Sequence, residues 1–235
     1  MGPAGSGKTV LTGEFGQYLQ ERHSIRIINL DAGVEYLPYE PDFDVRDHYT
    51  LKEIMEEEEL GPNGAVINSV DRLVTLDLPI YEDDFVLIDT PGQLDPFVFR
   101  DASKVIRYYS DQVIYLFDGT APARTYPSQY LSSLAAEYSI EKPMVRAVNK
   151  LDLMDEKKVQ DLESLMTDPR MIRDAGDFRM RVQMNMDIAE MIAESSRSTM
   201  FPFVSAETWD GLEDLQSFLL EAAATDRGIA FQDKD

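Results

Sequence analysis

A chain of 235 residues with an ordinary apolar share of 43% can bury a full core as one large α/β domain. Its 44 acidic against 22 basic residues, net charge -22, oppose phosphate-rich partners, which excludes a direct nucleic-acid role. The lack of cysteine excludes disulfides and thiolate metal sites, and no apolar run approaches the roughly 18 residues of a membrane span.

The chain opens on Gly2-Pro3-Ala4-Gly5-Ser6-Gly7-Lys8-Thr9, which fits the G-x-x-x-x-G-K-[ST] phosphate loop. Glycines let backbone N–H groups curl around phosphate oxygens, so Gly5, Ser6 and Gly7 are candidate phosphate contacts. A helix predicted near 8–22 points its positive end at the same anion. Lys8 is placed to reach the β- and γ-phosphates, and the Thr9 hydroxyl to ligate Mg²⁺. A phosphate loop ordinarily follows a strand in the middle of the sheet, and here only Met1 precedes it. We therefore expect a first strand of roughly 7 to 10 residues to be missing ahead of Met1, since its neighbours would otherwise keep unpaired backbone groups. The start has neither the basic nor the apolar region of a signal peptide, which makes the cytoplasm the default location.

The next strand-like run is Ile25 to Leu30, followed by helical patterns near 51–59 and 64–76 with Thr50 as an N-cap. Glu56 to Glu59 reads as a solvated helix face. Phe85 to Ile88 is a strand that runs into Asp89-Thr90-Pro91-Gly92-Gln93. In this D-x-x-G-Q pattern Asp89 can hold magnesium, Gly92 can bring its N–H to the γ-phosphate, and Gln93 can orient the attacking water. A helical pattern near 95–109 leads to a strand at Val113 to Phe117, and one near 128–139 to a strand at Val145 to Val148.

That last strand ends in Asn149-Lys150-Leu151-Asp152, an N-K-x-D pattern. The Asp152 carboxylate can accept two hydrogen bonds from guanine N1–H and its 2-amino group, a donor pair that adenine lacks. Asn149 can bind the other edge of the base and brace the phosphate loop, and Lys150 can lay its stem across the base plane. A helix near 156–166 follows. From Phe178 to Ile188 apolar residues alternate strictly, yet the composition favours a helix over 179–196 whose excess apolar surface serves core packing or an interaction. Phe201 to Val204 is the last strand, after which Ser205 and Ala206 can offer a backbone N–H to guanine O6. A helix near 210–224, capped by Asp210, ends the pattern.

Short apolar strands alternating with helices predict a doubly wound, mainly parallel sheet with helices on both faces, as one domain over 1–235. The motifs fall at the ends of successive strands, where such sheets bind ligands. GTP and GDP are the expected ligands; a P-loop kinase or ATPase, and a binding module that does not turn over, are the competing readings. His23 and His48 read as solvent-exposed, Trp209 as packing, and Arg46 and Arg72 as surface or interface residues. The Asp-rich, Lys-poor composition suits a salt-adapted cytoplasm or an ordinary acidic protein.

The sequence resembles the GPN-loop GTPases. The naming motif stands as Gly61-Pro62-Asn63, in the long interval of 81 residues from Lys8 to Asp89. Asn29-Leu30-Asp31, Leu37-Pro38-Tyr39-Glu40-Pro41 and Asp44-Val45-Arg46-Asp47 are also similar to the family's stretch after the second strand. The resemblance implies a homodimer with an insertion near 50–80 carrying the GPN loop, and a helical segment near 155–197. It implies that Asn63 enters the partner's active site, and that Asp31 stands near the magnesium and water. Asp31-Ala32 departs from the family's more usual Asp-Pro. Catalysis would then rest on Lys8, Gln93, Asp31 and the partner's Asn63. Family members in eukaryotes are linked to RNA polymerase assembly, so a nucleotide-controlled assembly factor with such a client is the alternative role.

Overall fold

In the computed structural model, residues 1–92, 98, 100–122, 125–167 and 201–232 are described, with backbone alone at 127, 165–167 and 225–232. Gln93 and the alternating segment 178–188 lie outside them, as does the helical segment near 155–197 beyond Thr167.

Helix α1 (Lys8–Gln20) follows the phosphate loop directly. Strand β1 (Ile25–Asn29) leads to β2 (Phe43–Asp44), a two-residue strand too short to show as a periodic run. Helices α2 (Leu51–Glu57) and α3 (Pro62–Leu73) form a hairpin. Thr50 and Glu53 cap α2 reciprocally, and Pro62 starts α3 where its missing N–H has no helical partner to lose. Then come β3 (Phe85–Asp89), α4 (Ala102–Tyr109), β4 (Val113–Asp118), α5 (Tyr126–Ile140), β5 (Met144–Asn149), α6 (Glu156–Thr167) and α7 (Leu212–Gln232). Asp210 is not the cap of α7. It precedes Gly211, and its carboxylate instead accepts the Thr208 hydroxyl at 2.7 Å.

All strand pairs are parallel. One sheet has the order β2-β1-β3, the other pairs β4 with β5, and Phe203 bridges to Val148 beyond β5. Successive residues point to opposite faces. Leu116, Val145 and Ala147 pack with Leu11 and Phe15 of α1 and with Leu215 of α7, while Tyr115, Phe117 and Val148 pack with α3, α4 and α5. The doubly wound arrangement follows from that alternation.

β3 and β4 are not hydrogen-bonded to each other. Between them runs a slot of about 840 Å³, lined by Met1, Phe15, Val86, Ile88, Ile114 and Leu116 among others. Met1 crosses one end: its amine donates to Ile114 O at 2.6 Å, and Leu116 N–H donates to Met1 O at 2.8 Å.

Candidate nucleotide-binding site

The carboxyl ends of the strands bring the motifs together. Asn29 pairs in register with Asp89, and Asp118 with Asn149, so four polar residues end four strands in two adjacent pairs.

Gly7 precedes α1 with φ +90°, and no side chain caps the helix, so its first amides are open to an anion. A Cβ at Gly7 would collide with Asn149 Nδ2. That close approach serves a bond: Asn149 Nδ2 donates to Ser6 O at 2.9 Å and braces the loop. Lys8 is buried and folds back on the loop, donating to Gly2 O at 3.0 Å and Pro3 O at 2.9 Å. Burial pulls its ammonium below the ordinary value, against the carboxylates of Asp89 and Asp31.

Asp89 is 1% exposed, and burial pushes its carboxyl above the usual range. Its Oδ2 accepts the Tyr39 hydroxyl at 2.8 Å. The Thr9 hydroxyl stands near enough to favour the charged form, yet Oδ1 makes no hydrogen bond of good geometry and is buried. A buried oxygen without a donor suits a cation, and magnesium takes few protein ligands beside water and phosphate. The Thr9 and Asp89 oxygens therefore fit Mg²⁺. Asp31 reaches the same end of the sheet. Its N–H donates to Asn29 Oδ1 at 3.0 Å, and its Oδ1 accepts Gly33 N–H at 2.8 Å.

At the other half, Ser205 Oγ donates to Asp152 Oδ1 at 2.6 Å and accepts Thr208 N–H at 3.1 Å. Ser205 is fully buried while Asp152 is exposed, so a core hydroxyl holds a carboxylate that faces solvent. Ser205 N–H is taken by Asp210 O, which leaves the Ala206 N–H as the donor for a base oxygen. Lys150 has a left-handed backbone, and its Nζ donates to Asp118 Oδ2 at 3.0 Å. Burial opposes ionisation of Asp118, yet hydrogen bonds from Thr120 and Lys150 together hold it below the usual carboxylate range.

The structure adds three residues to which the sequence assigned no role: Tyr39 and Asp44, which stand in the family-like stretches, and Asp118. Asp44 accepts Asn29 Nδ2 at 2.9 Å and a forked contact from Arg46. An acid followed by glycine at the end of β4 was the one available signal, for Asp118. Arg46 and Arg72 keep partly exposed side chains, 27% and 30%, and both are ion-paired. Arg46 is held by Asp44, and Arg72 binds Glu57 and Glu58 and covers the Tyr49 ring. These contacts fasten α2 to α3, whose connecting tip exposes Gly61, Pro62 and Asn63. Gly92 ends the described run after β3, with open space where a side chain would stand. His23 is half-buried rather than exposed, its ring edge against Phe85 and its Nε2 beside Gln216. Trp209 packs against Tyr18 and donates to Glu14.

A phosphate loop at a helix start, an acidic strand end beside it and a second acidic motif two strands away define a P-loop nucleotide-binding protein. A family model described as "Conserved hypothetical ATP binding protein" matches residues 1–225. The chain is 34% identical over 249 aligned residues to GPN-loop GTPase PAB0955 of Pyrococcus abyssi, covering 96% of each. It is 30% identical over 240 aligned residues to GPN-loop GTPase 1 of Schizosaccharomyces pombe, covering 91% of this chain and 65% of that one. The crystal structure of PAB0955, a GTPase in apo form, matches with a TM-score of 0.80 at 32% identity, over 94% of this chain and 95% of that one. The chain belongs to the GPN-loop GTPase family. Among the described residues no helix is long and apolar enough to cross a membrane.

Proposed function

We propose that this GTPase binds Mg²⁺-GTP and hydrolyses it to GDP and phosphate as a homodimer, with each GPN loop completing the partner's site. One observation carries the reading: the bond from Asn149 Nδ2 to Ser6 O ties a carboxylate-bearing base reader to a phosphate loop. Asp152, steadied by Ser205, accepts the paired N–H donors of guanine, and an adenine would leave it unpaired.

The chemistry is positioning and electrostatics. Lys8 and the loop amides hold the phosphates and take up charge that develops on them. Thr9 and Asp89 would hold the magnesium ion, which neutralises phosphate charge when bound. Asp31, at the end of β1, and Gln93, after β3, orient the attacking water. Asn63 of the partner subunit reaches the same water, consistent with the exposed tip between α2 and α3. Arg46 and Arg72 are committed inside the subunit and supply no arginine finger.

Mixing tests the shared site. Asn63→Ala and Lys8→Ala are each expected to be nearly inactive. Their hybrid dimer keeps one site with both groups, so an equal mixture should regain about a quarter of the wild-type GTPase rate. A mixture no faster than its components would show that Asn63 does not act across the interface.

A further inference from the structure

The Tyr39–Asp89 bond joins two segments 50 residues apart and has no part in the reading above. Tyr39 lies between Asp31 and β2, in a segment that crosses the face of α1. Gly13 of α1 makes the crossing possible: a Cβ there would stand 3.2 Å from Tyr39 Cδ1 and 3.4 Å from Pro38 Cγ. The segment is fixed at its start as well, where Arg46 Nη1 donates to Val34 O at 3.2 Å. The phenol is therefore brought to Asp89 by a docked segment and not by a loose side chain.

The division of labour on the carboxylate is the informative part. Tyr39 occupies Oδ2, and Oδ1 is left buried without a hydrogen bond, while the Thr9 hydroxyl stands beside the same carboxylate. A buried carboxylate with no donor at all would rotate or take up a proton. With one oxygen held, the other keeps a fixed direction.

We infer that Tyr39 is a positioning residue for magnesium: its hydroxyl holds Asp89 Oδ2 and leaves Oδ1 for the ion beside Thr9, and it links the Asp31 segment to the same carboxylate. This rests on the Mg²⁺-GTP reading. Tyr39 touches neither nucleotide nor metal in this role. Its loss should alter the response to magnesium while leaving the nucleotide contacts of the phosphate loop and Asp152 intact.

The test is release of fluorescently labelled GDP from the full chain, measured against free Mg²⁺ and again in excess chelator. For Tyr39→Phe the Mg²⁺ concentration giving half of the slowing should rise about tenfold, the worth of one hydrogen bond to a charged group. Release in chelator should match wild type. Gly13→Val crowds the docked ring without touching the hydroxyl, and should shift the Mg²⁺ midpoint in the same direction. An unchanged midpoint in Tyr39→Phe, or a faster release already present in chelator, would overturn the assignment. If wild type binds labelled GDP but both variants respond to Mg²⁺ as it does, Tyr39 alone has failed. If wild type binds no labelled GDP, or releases it without regard to Mg²⁺, the reading beneath has failed with it.

Discussion

β3 and β5 both end on a buried polar residue of the site, yet they are housed in opposite ways. Every residue of β5 is buried, with β4 on one side and the Phe203 bridge on the other. β3 pairs only with β1, and Phe85 to Ile88 are half-exposed along the slot. Parallel strands are ordinarily covered on both faces and paired on both edges. The base-reading half of the site therefore stands on a finished wall. The phosphate-binding half stands beside the slot, where Met1 hydrogen-bonds to Ile114 and Leu116 of β4. Its geometry is held instead by side-chain bonds: Asn149 to Ser6, Lys8 to the loop carbonyls, and Tyr39 to Asp89.

That contrast can be broken from either half. The largest effect is expected at the phosphate end, where Lys8→Ala should lower the GTPase rate by about 10³-fold while labelled GDP still binds. A rate within tenfold of wild type would remove Lys8 from the charge-handling role. At the base end, Asp152→Asn should weaken GTP binding about 100-fold and leave ATP binding unchanged, because only guanine loses its paired acceptor. Equal loss for both nucleotides would mean that Asp152 supports the loop and not the base.

Much of the site was legible because it is contiguous. The phosphate loop, Asn149 with Asp152, and Ser205 with Ala206 are short contiguous motifs, and the last two stand at the ends of apolar runs that read as strands. Residues that meet only through the fold were not legible. Tyr39 reaches Asp89, and Asp118 reaches Lys150, across 50 and 32 residues, with no local pattern to announce either pair. β2 is two residues long and owes its pairing to Ile28 and Asn29 of β1. Residue type places Arg46 and Arg72 at the surface, where they stand partly exposed, but does not announce the carboxylates that pair with them. The Asp210 cap fell one position early because Gly211, with φ +74°, makes the turn into α7.

The central claim is that a carboxylate selecting guanine is joined to the phosphate loop through Asn149. Competition of unlabelled GTP and ATP for bound fluorescent GDP, at fixed Mg²⁺, tests it most directly. GTP should displace the label at concentrations at least about 100-fold below those needed of ATP. Equal displacement by the two nucleotides would contradict the account.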